Sequence, residues 1–359
     1  MRVLIDTGHP AHVHLFKNFA WEMQKKGHDV FFTCREKEFE VDLLKTYGFR
    51  FKSLGKKYNS LGGKLWGIVE FDMKEFIASL KFKPDILLSH GSMYTAHASF
   101  LLRKPHISLE DTFNFEQIRL YLPFTKAVIT STYPHPDLGP KNIRYSGYHE
   151  LTYLHPNRFV PDKSVLNDLG VEENEKYIII RFVSWKASHD LGHEGISLEN
   201  KILAVKEFSK YARVLISSES ALPKELIGYK LNISPHRIHD AIAYSILMFG
   251  ESATMISEGA VLGVPGVYLD STGRLYTTEL EREYGLVFNF SESDSDQLKA
   301  IEKAIDIIKA SNKNEWEQKH ERLMKEKIDV TAFLVWFVEN WPDSFRMMKE
   351  DPGYQLRFR

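Results

Sequence analysis

Short apolar runs alternate with longer amphipathic stretches along the whole chain, and they do so in two consecutive series. This is the pattern of βαβ units, whose crossovers make the strands parallel. The first series predicts strands at Val3–Ile5, Asp29–Thr33, Phe49–Ser53, Ile86–Ser89, His106–Leu109 and Ala127–Thr130. Helices fall between them, one over Leu15–Lys26 with Gly27 as its stop, another over about Lys64–Leu80. The second series predicts strands at Tyr177–Phe182, Val214–Ser217, Ile246–Phe249, Val267–Leu269 and Leu286–Phe290. Its helices cover Leu198–Lys210, Ala253–Leu262 and Ser295–Ala310. Between the series, Leu151–Leu166 carries His155-Pro156-Asn157 and Pro161-Asp162 with little periodicity, and reads as an interdomain linker. An α/β chain of 359 residues has room for two domains at about 100–200 residues each. The expected division is 1–155, 156–325 and a helical segment over 326–359.

Composition narrows the function classes. Formal net charge is −1, so no global field draws the chain to nucleic acid. Cys34 is the single cysteine, which excludes a disulfide framework and makes it a small buried hydrophobe. Asp6 interrupts the apolar start, and no run approaches the roughly 20 residues that span a bilayer. The expectation is a cytoplasmic enzyme. The stretch Lys56–Trp66, basic and apolar, could rest on a membrane face, with a mobile acceptor loop as the simpler account. Oligomeric state is not legible.

In open α/β sheets ligands bind beyond the carboxyl ends of the strands, so the loops after strands hold the candidates. Asp6-Thr7-Gly8-His9-Pro10-Ala11-His12-Val13-His14 follows the first strand. Gly8 permits a tight turn and close approach by a ligand. His9 sits where a general base could reach a substrate hydroxyl, and His12 is a candidate acceptor contact. A metal set of His9, His12 and His14 lacks a matching carboxylate spacing, so no metal is expected. His90-Gly91-Ser92 follows the fourth strand, with His90 and Ser92 as sugar or acceptor contacts. Glu110 or Asp111 after the next strand could be an acid or base, or a helix cap.

The most informative stretch runs from Phe249 to Gly266, read as strand, polar turn, helix, Gly-Pro stop and strand. Gly250, Ser252, Ala253 and Thr254 form a helix start whose orphan N–H groups and dipole favour phosphate. Glu258 can accept hydrogen bonds from ribose hydroxyls; the plainer account makes Ser252 a cap and Glu258 a solvated residue. Arg181 and Lys186 could neutralise a diphosphate. His236 could border a base pocket or sit on a solvated helix start. No Gly-x-Gly-x-x-Gly opens the first helix and there is no P-loop, so dehydrogenase and P-loop readings lose support.

Taken with these motifs, the opening Ile5–His14 and the segment Gly250–Pro265 resemble the DUF354 family, over essentially the whole chain. More widely, the chain resembles the GT-B superfamily and its non-hydrolysing UDP-N-acetylglucosamine 2-epimerases. Pro84–Ser92 is similar to the epimerase segment ending His-Gly-Asp, His106-Ile107-Ser108 to its His-Val-Glu, and Phe115–Arg119 to its Glu-Glu-x-Asn-Arg. Ser252–Glu258 is similar to the Asp-Ser-Gly-Gly…Glu run that binds diphosphate and ribose. The resemblance implies nucleotide roles for Ser252, Ala253, Thr254 and Glu258. It also implies a GT-B fold: two Rossmann-like domains facing a central cleft, with the C-terminal helix crossing back to the first.

Departures from the epimerase pattern matter. Ser92 and Ser108 stand where it has carboxylates, only Glu116 stays in register, and Arg181-Phe182-Val183-Ser184-Trp185 lacks its His-Arg pair. A glycosyltransferase needs fewer such groups. The expectation is therefore a cofactor- and metal-independent transferase using a nucleotide-diphosphate sugar, with UDP as nucleotide, in polysaccharide or glycoconjugate synthesis. His9, Glu116 and Glu110 are its candidate catalytic groups and a glycan or lipid-linked molecule its acceptor. An NDP-sugar epimerase, a metal-dependent hydrolase using the histidine triplet, or a non-catalytic binding protein are the alternatives.

Overall fold

The computed structural model describes residues 1–56, 58, 61–183, 195–310 and 312–359. The chain divides into two compact units, Met1–Arg158 with Lys327–Arg359, and Phe159–Glu326.

The sheet of unit 1 contains β1 (Arg2–Thr7), β2 (Asp29–Cys34), β3 (Phe51–Ser53), β4 (Ile86–His90), β5 (His106–Leu109), β6 (Ala127–Ser131) and β7 (Asn142–Tyr145). They are parallel, in the order β3-β2-β1-β4-β5-β6-β7. Val3, Leu4 and Ile5 of β1 are fully buried, as expected of a central strand covered on both faces. Asp6 breaks the apolar run yet is buried too. Arg35, following β2, meets both of its carboxylate oxygens at 3.0–3.1 Å, and Thr33 Oγ1 donates to it. Cys34 is buried, and burial with nearby Glu40 and Asp6 pushes its thiol up to about 12.

Unit 2 contains β8 (Tyr177–Phe182), β9 (Arg213–Ser218), β10 (Leu247–Gly250), β11 (Gly266–Leu269) and β12 (Val287–Phe290), parallel in the order β12-β11-β10-β8-β9. Ile178, Ile180, Leu247, Phe249, Val267 and Leu269 meet Phe208 and Ala304 of flanking helices in one core.

Residues 327–359 complete unit 1. Asp329 caps the helix Val330–Glu339 by accepting from Ala332 N (2.9 Å) and holds Arg158 Nε. Gln355 accepts from Ser146 N (2.6 Å), and Trp336 stacks on Tyr354 (4.8 Å). Strand β7, the helix Met93–Leu102 and the short helix Leu151–Leu154 within the expected linker are elements that the periodicity does not announce.

Candidate functional site

The strand orders place a reversal between β1 and β4 in unit 1 and between β8 and β10 in unit 2. Ligand crevices form outside the carboxyl ends at such switch points. Both switch points carry polar clusters. A pocket of about 830 Å³ lies elsewhere in unit 2, lined by residues such as Leu169, Arg213 and Lys230. It includes the first residue of β9, so it sits away from the carboxyl ends.

At the unit 2 switch point, Gly250 has φ +140, and a Cβ there would lie 2.1 Å from the Arg181 carbonyl oxygen. Only glycine permits this approach of β10 to β8. Glu251 N then donates to that same carbonyl (3.0 Å). The buried Glu251 carboxylate accepts from Val183 N (2.9 Å) and Ile196 N (2.6 Å), with Lys201 at 3.5 Å. This clasp has no signature in the sequence.

Ser252 is the cap of the helix Ala253–Val261, its Oγ accepting from Met255 N (3.4 Å). Ala253 and Thr254 open that helix, where N–H groups lack intrahelical acceptors. Glu258 is not a solvated residue: it is 4% exposed and accepts from His239 Nε2 at 2.9 Å. The structure thus brings His239 to Glu258, whereas His236 is exposed on the preceding turn, Pro235–Arg237. Arg181 does not offer an uncompensated cation. Its guanidinium donates to Ser217 Oγ (2.8 Å) and Glu219 Oε1 (2.8 Å). Lys186 lies outside the described residues.

At the unit 1 switch point the histidines are arranged differently from the expectation. His9 caps the helix Pro10–Lys25, with Ala11 N donating to its Nδ1 (3.2 Å). Gly8 N donates in the same way to His12 Nδ1 (3.4 Å). An imidazole whose Nδ1 lone pair is so used keeps its proton on Nε2 when neutral. His9 and His12 therefore present donors, which counts against His9 as the base. Gly8 is needed for packing rather than ligand approach: a Cβ would lie 2.4 Å from Arg35 Nη2, in a side chain pinned by Asp6. His14 is buried against Tyr47, whose hydroxyl is 3.2 Å from its Nδ1, so the three histidines do not form one set.

What the fold gathers is His90, Asp111 and His149. His90 Nε2 donates to Asp111 Oδ1 (2.9 Å), and His149 Nδ1 donates to Oδ2 (3.0 Å). The His12 ring lies 4.6 Å from that of His90. Burial opposes the charged form of Asp111, but His149 and His90 outweigh it and hold the carboxyl well below its usual range. Burial likewise opposes the charge on His90, and the Asp111 carboxylate overcomes it and raises His90. His12 is lowered well below its ordinary value by burial, then by His90 and His9. Asp111 was legible as an acid–base candidate. His149 was not, because it stands just before a segment read as linker.

The other expected groups have structural duties. Glu110 Oε1 accepts from Thr112 N, Thr112 Oγ1 and Phe113 N, and Oε2 accepts from Tyr121 Oη. A carboxylate engaged four times organises its loop rather than moving protons. Ser92 caps the helix Met93–Leu102 through Thr95. Glu116 is exposed on the first turn of Phe115–Tyr121, outside the Asp111 group.

Comparison with known proteins agrees with this architecture. An uncharacterised protein of Methanocaldococcus jannaschii is 26% identical over 279 residues, covering 74% of this chain and 80% of the relative. A UDP-bound structure of Staphylococcus aureus MnaA superposes with a TM-score of 0.67 at 13% identity, covering 96% of this chain and 97% of that one. A Neisseria meningitidis UDP-GlcNAc 2-epimerase bound to UDP-GlcNAc gives 0.64 at 14%, covering 94% and 99%. The glycosyltransferase SsfS6 of Streptomyces sp. SF2575 gives 0.60 at 13%, covering 95% and 100%. The fold is therefore GT-B. Residues 1–315 match the family model described as a protein of unknown function, DUF354, and the chain belongs to that family.

Proposed function

We propose that the chain is a glycosyltransferase that takes a sugar from a nucleotide-diphosphate donor, with UDP as the nucleotide. The observation that carries the reading is the helix start at Ser252-Ala253-Thr254, at the β8/β10 switch point, with Glu258 one and a half turns further on. A helix N-terminus favours the diphosphate through its dipole and open N–H groups. Glu258, held by His239, accepts from the ribose hydroxyls. In the reaction the bond from the anomeric carbon to phosphate oxygen breaks and its electron pair leaves with the diphosphate. An acceptor hydroxyl oxygen forms the new glycosidic bond. Its proton passes to a general base at the acceptor. The helix stabilises charge that grows on the leaving group, which is the condition for catalysis rather than mere binding.

Two features favour transfer over epimerisation. Ser92 is a helix cap, and Ser108 Oγ is buried between Gly91 N (2.9 Å) and the Leu109 carbonyl. Neither supplies the acid or base that an elimination and re-addition requires.

A lipid-linked acceptor is supported by the helix Leu61–Phe82. Trp66, Val69, Met73, Ile77 and Leu80 form an exposed stripe along it, Trp66 at 63%. Phe100 and Leu101 on the adjoining helix are exposed as well, and Lys81, Lys83, Arg103 and Lys104 supply cations nearby. Apolar stripes with a basic rim suit an anionic bilayer surface. Among the described residues no helix is long and apolar enough to cross a membrane.

The deciding experiment is calorimetry with UDP and UDP-sugars, followed by NMR of donor with and without glycolipid acceptors. Donor consumption that needs an acceptor supports transfer; interconversion of a lone UDP-sugar would establish the epimerase instead. Absence of any nucleotide binding removes both.

A further inference from the structure

We infer that His90, Asp111 and His149 form a binding site for one divalent transition-metal ion of the zinc type. The donors come from three separate strand ends: His90 closes β4, Asp111 lies two residues beyond β5, and His149 lies four beyond β7. Their ligand atoms all lie within 4.8 Å of one another. The two imidazole–carboxylate separations are 2.9 and 3.0 Å. A tetrahedral zinc site with bonds of about 2.0–2.1 Å needs its donors roughly 3.3 Å apart. The two short separations run to different Asp111 oxygens, and the widest donor separation, within 4.8 Å, must close by up to about 1.5 Å for the three to share one ion.

The donor set is selective. Two imidazoles and one carboxylate suit zinc and its first-row neighbours, whereas magnesium and calcium want oxygen. Two histidines and one carboxylate also leave a fourth position for an exchangeable ligand, the pattern of catalytic rather than structural zinc. The side chains are mostly enclosed, at 11%, 19% and 8% exposure for His90, Asp111 and His149, yet Asp111 keeps a solvent face through which an ion can enter. This is not the set of His9, His12 and His14 in the opening loop, whose spacing argues against a metal. It needs the strand order to assemble.

The inference goes beyond glycosyl transfer and does not depend on it. An ion here would bind and polarise a hydroxyl in the open position, whether from a sugar acceptor or from water.

The test uses the full chain without a histidine tag, stripped with chelator, and zinc alone as the probe. Competition titration should give one zinc per chain. Asp111→Asn and His149→Gln should each weaken binding by more than the about 10–100-fold that loss of an outer-shell partner costs. Thermal unfolding of the metal-free variants checks that they fold. Cobalt titrated into the wild-type protein gives a reading that needs no variant. An intense visible spectrum of four- or five-coordinate cobalt with imidazole ligands is expected, and only the pale spectrum of hydrated cobalt would overturn the inference. Failure to bind zinc stoichiometrically would also overturn it, as would a site unchanged in both folded variants. No nucleotide is present in these titrations. A chain that binds zinc but turns over no nucleotide sugar keeps the metal site and loses only the proposed transfer.

Discussion

Glu258 and His239 are a buried pair, 2.9 Å apart, joining the helix Ala253–Val261 to the helix Ile238–Ala243. The pair fixes the carboxylate that the proposed donor site uses. Replacing Glu258 by Ala should weaken UDP binding by about 1–3 kcal/mol, a loss of roughly 5- to 150-fold in affinity. Calorimetry with UDP measures this directly. Unchanged affinity in a folded variant would remove Glu258 from the site.

Gly250→Ala should be among the most damaging single-methyl changes in unit 2. The added Cβ meets the Arg181 backbone oxygen in a conformation that L-residues rarely adopt. Backbone strain of this kind costs about 1–3 kcal/mol, and a backbone clash adds to it. Thermal unfolding should show a clear fall in Tm, and a variant as stable as the parent would contradict the close packing of β10 on β8.

In unit 1 the Asp6–Arg35 pair should respond asymmetrically. Asp6→Ala leaves a buried guanidinium without its nearest partner, which costs about 3–5 kcal/mol. Asp6→Leu combined with Arg35→Met removes both charges and should be less harmful than the single change. Urea denaturation of the two proteins decides the point; additive losses would show that the pair is not coupled.

His106 gives a pH signature. It is fully buried between Ser89 Oγ and Thr125 Oγ1, each 2.9 Å from a ring nitrogen, and burial holds it down to about 3. The unfolded chain takes up this proton near pH 6.5, whereas the folded chain does not. Stability should therefore fall as pH drops below about 6.5, by about 1.4 kcal/mol per pH unit from this group, down to about pH 3. His106→Gln should remove that slope. Urea midpoints of both proteins between about pH 5 and 7 would refute the assignment if the two curves ran parallel.

The exposed stripe makes a separate prediction. Wild-type protein should sediment with anionic vesicles, less so at high salt. Val69→Ser, Met73→Ser and Ile77→Ser together should abolish this while changing the unfolding free energy by no more than about 0.5 kcal/mol per site, as surface positions do. Equal vesicle binding by the triple variant would exclude the stripe.

Much of the fold was legible because buried parallel strands are continuous apolar runs. Val3–Ile5 and Tyr177–Phe182 announce themselves in this way. Strand β7, with the sequence Asn-Ile-Arg-Tyr, is short and half polar, and Met93–Leu102 packs through small residues without an amphipathic period. The helix start at Ser252 was legible because cap and turn chemistry are local. The Asp111 group was not, because its members meet only once strand order is known. The sequence does not distinguish His239 from His236, since three residues of chain decide which of them turns inward. Arg181 and Glu110 have the sequence pattern of functional charges, but in the fold Glu219 and Tyr121 engage them.

Unit 1 is discontinuous, and Asp329 and Gln355 supply contacts that its earlier part requires. During synthesis, residues 159–326 emerge as a whole while unit 1 still lacks its last pieces. The inserted unit can therefore fold on the ribosome while unit 1, its seven strands already made, still lacks the C-terminal helices that pack on it.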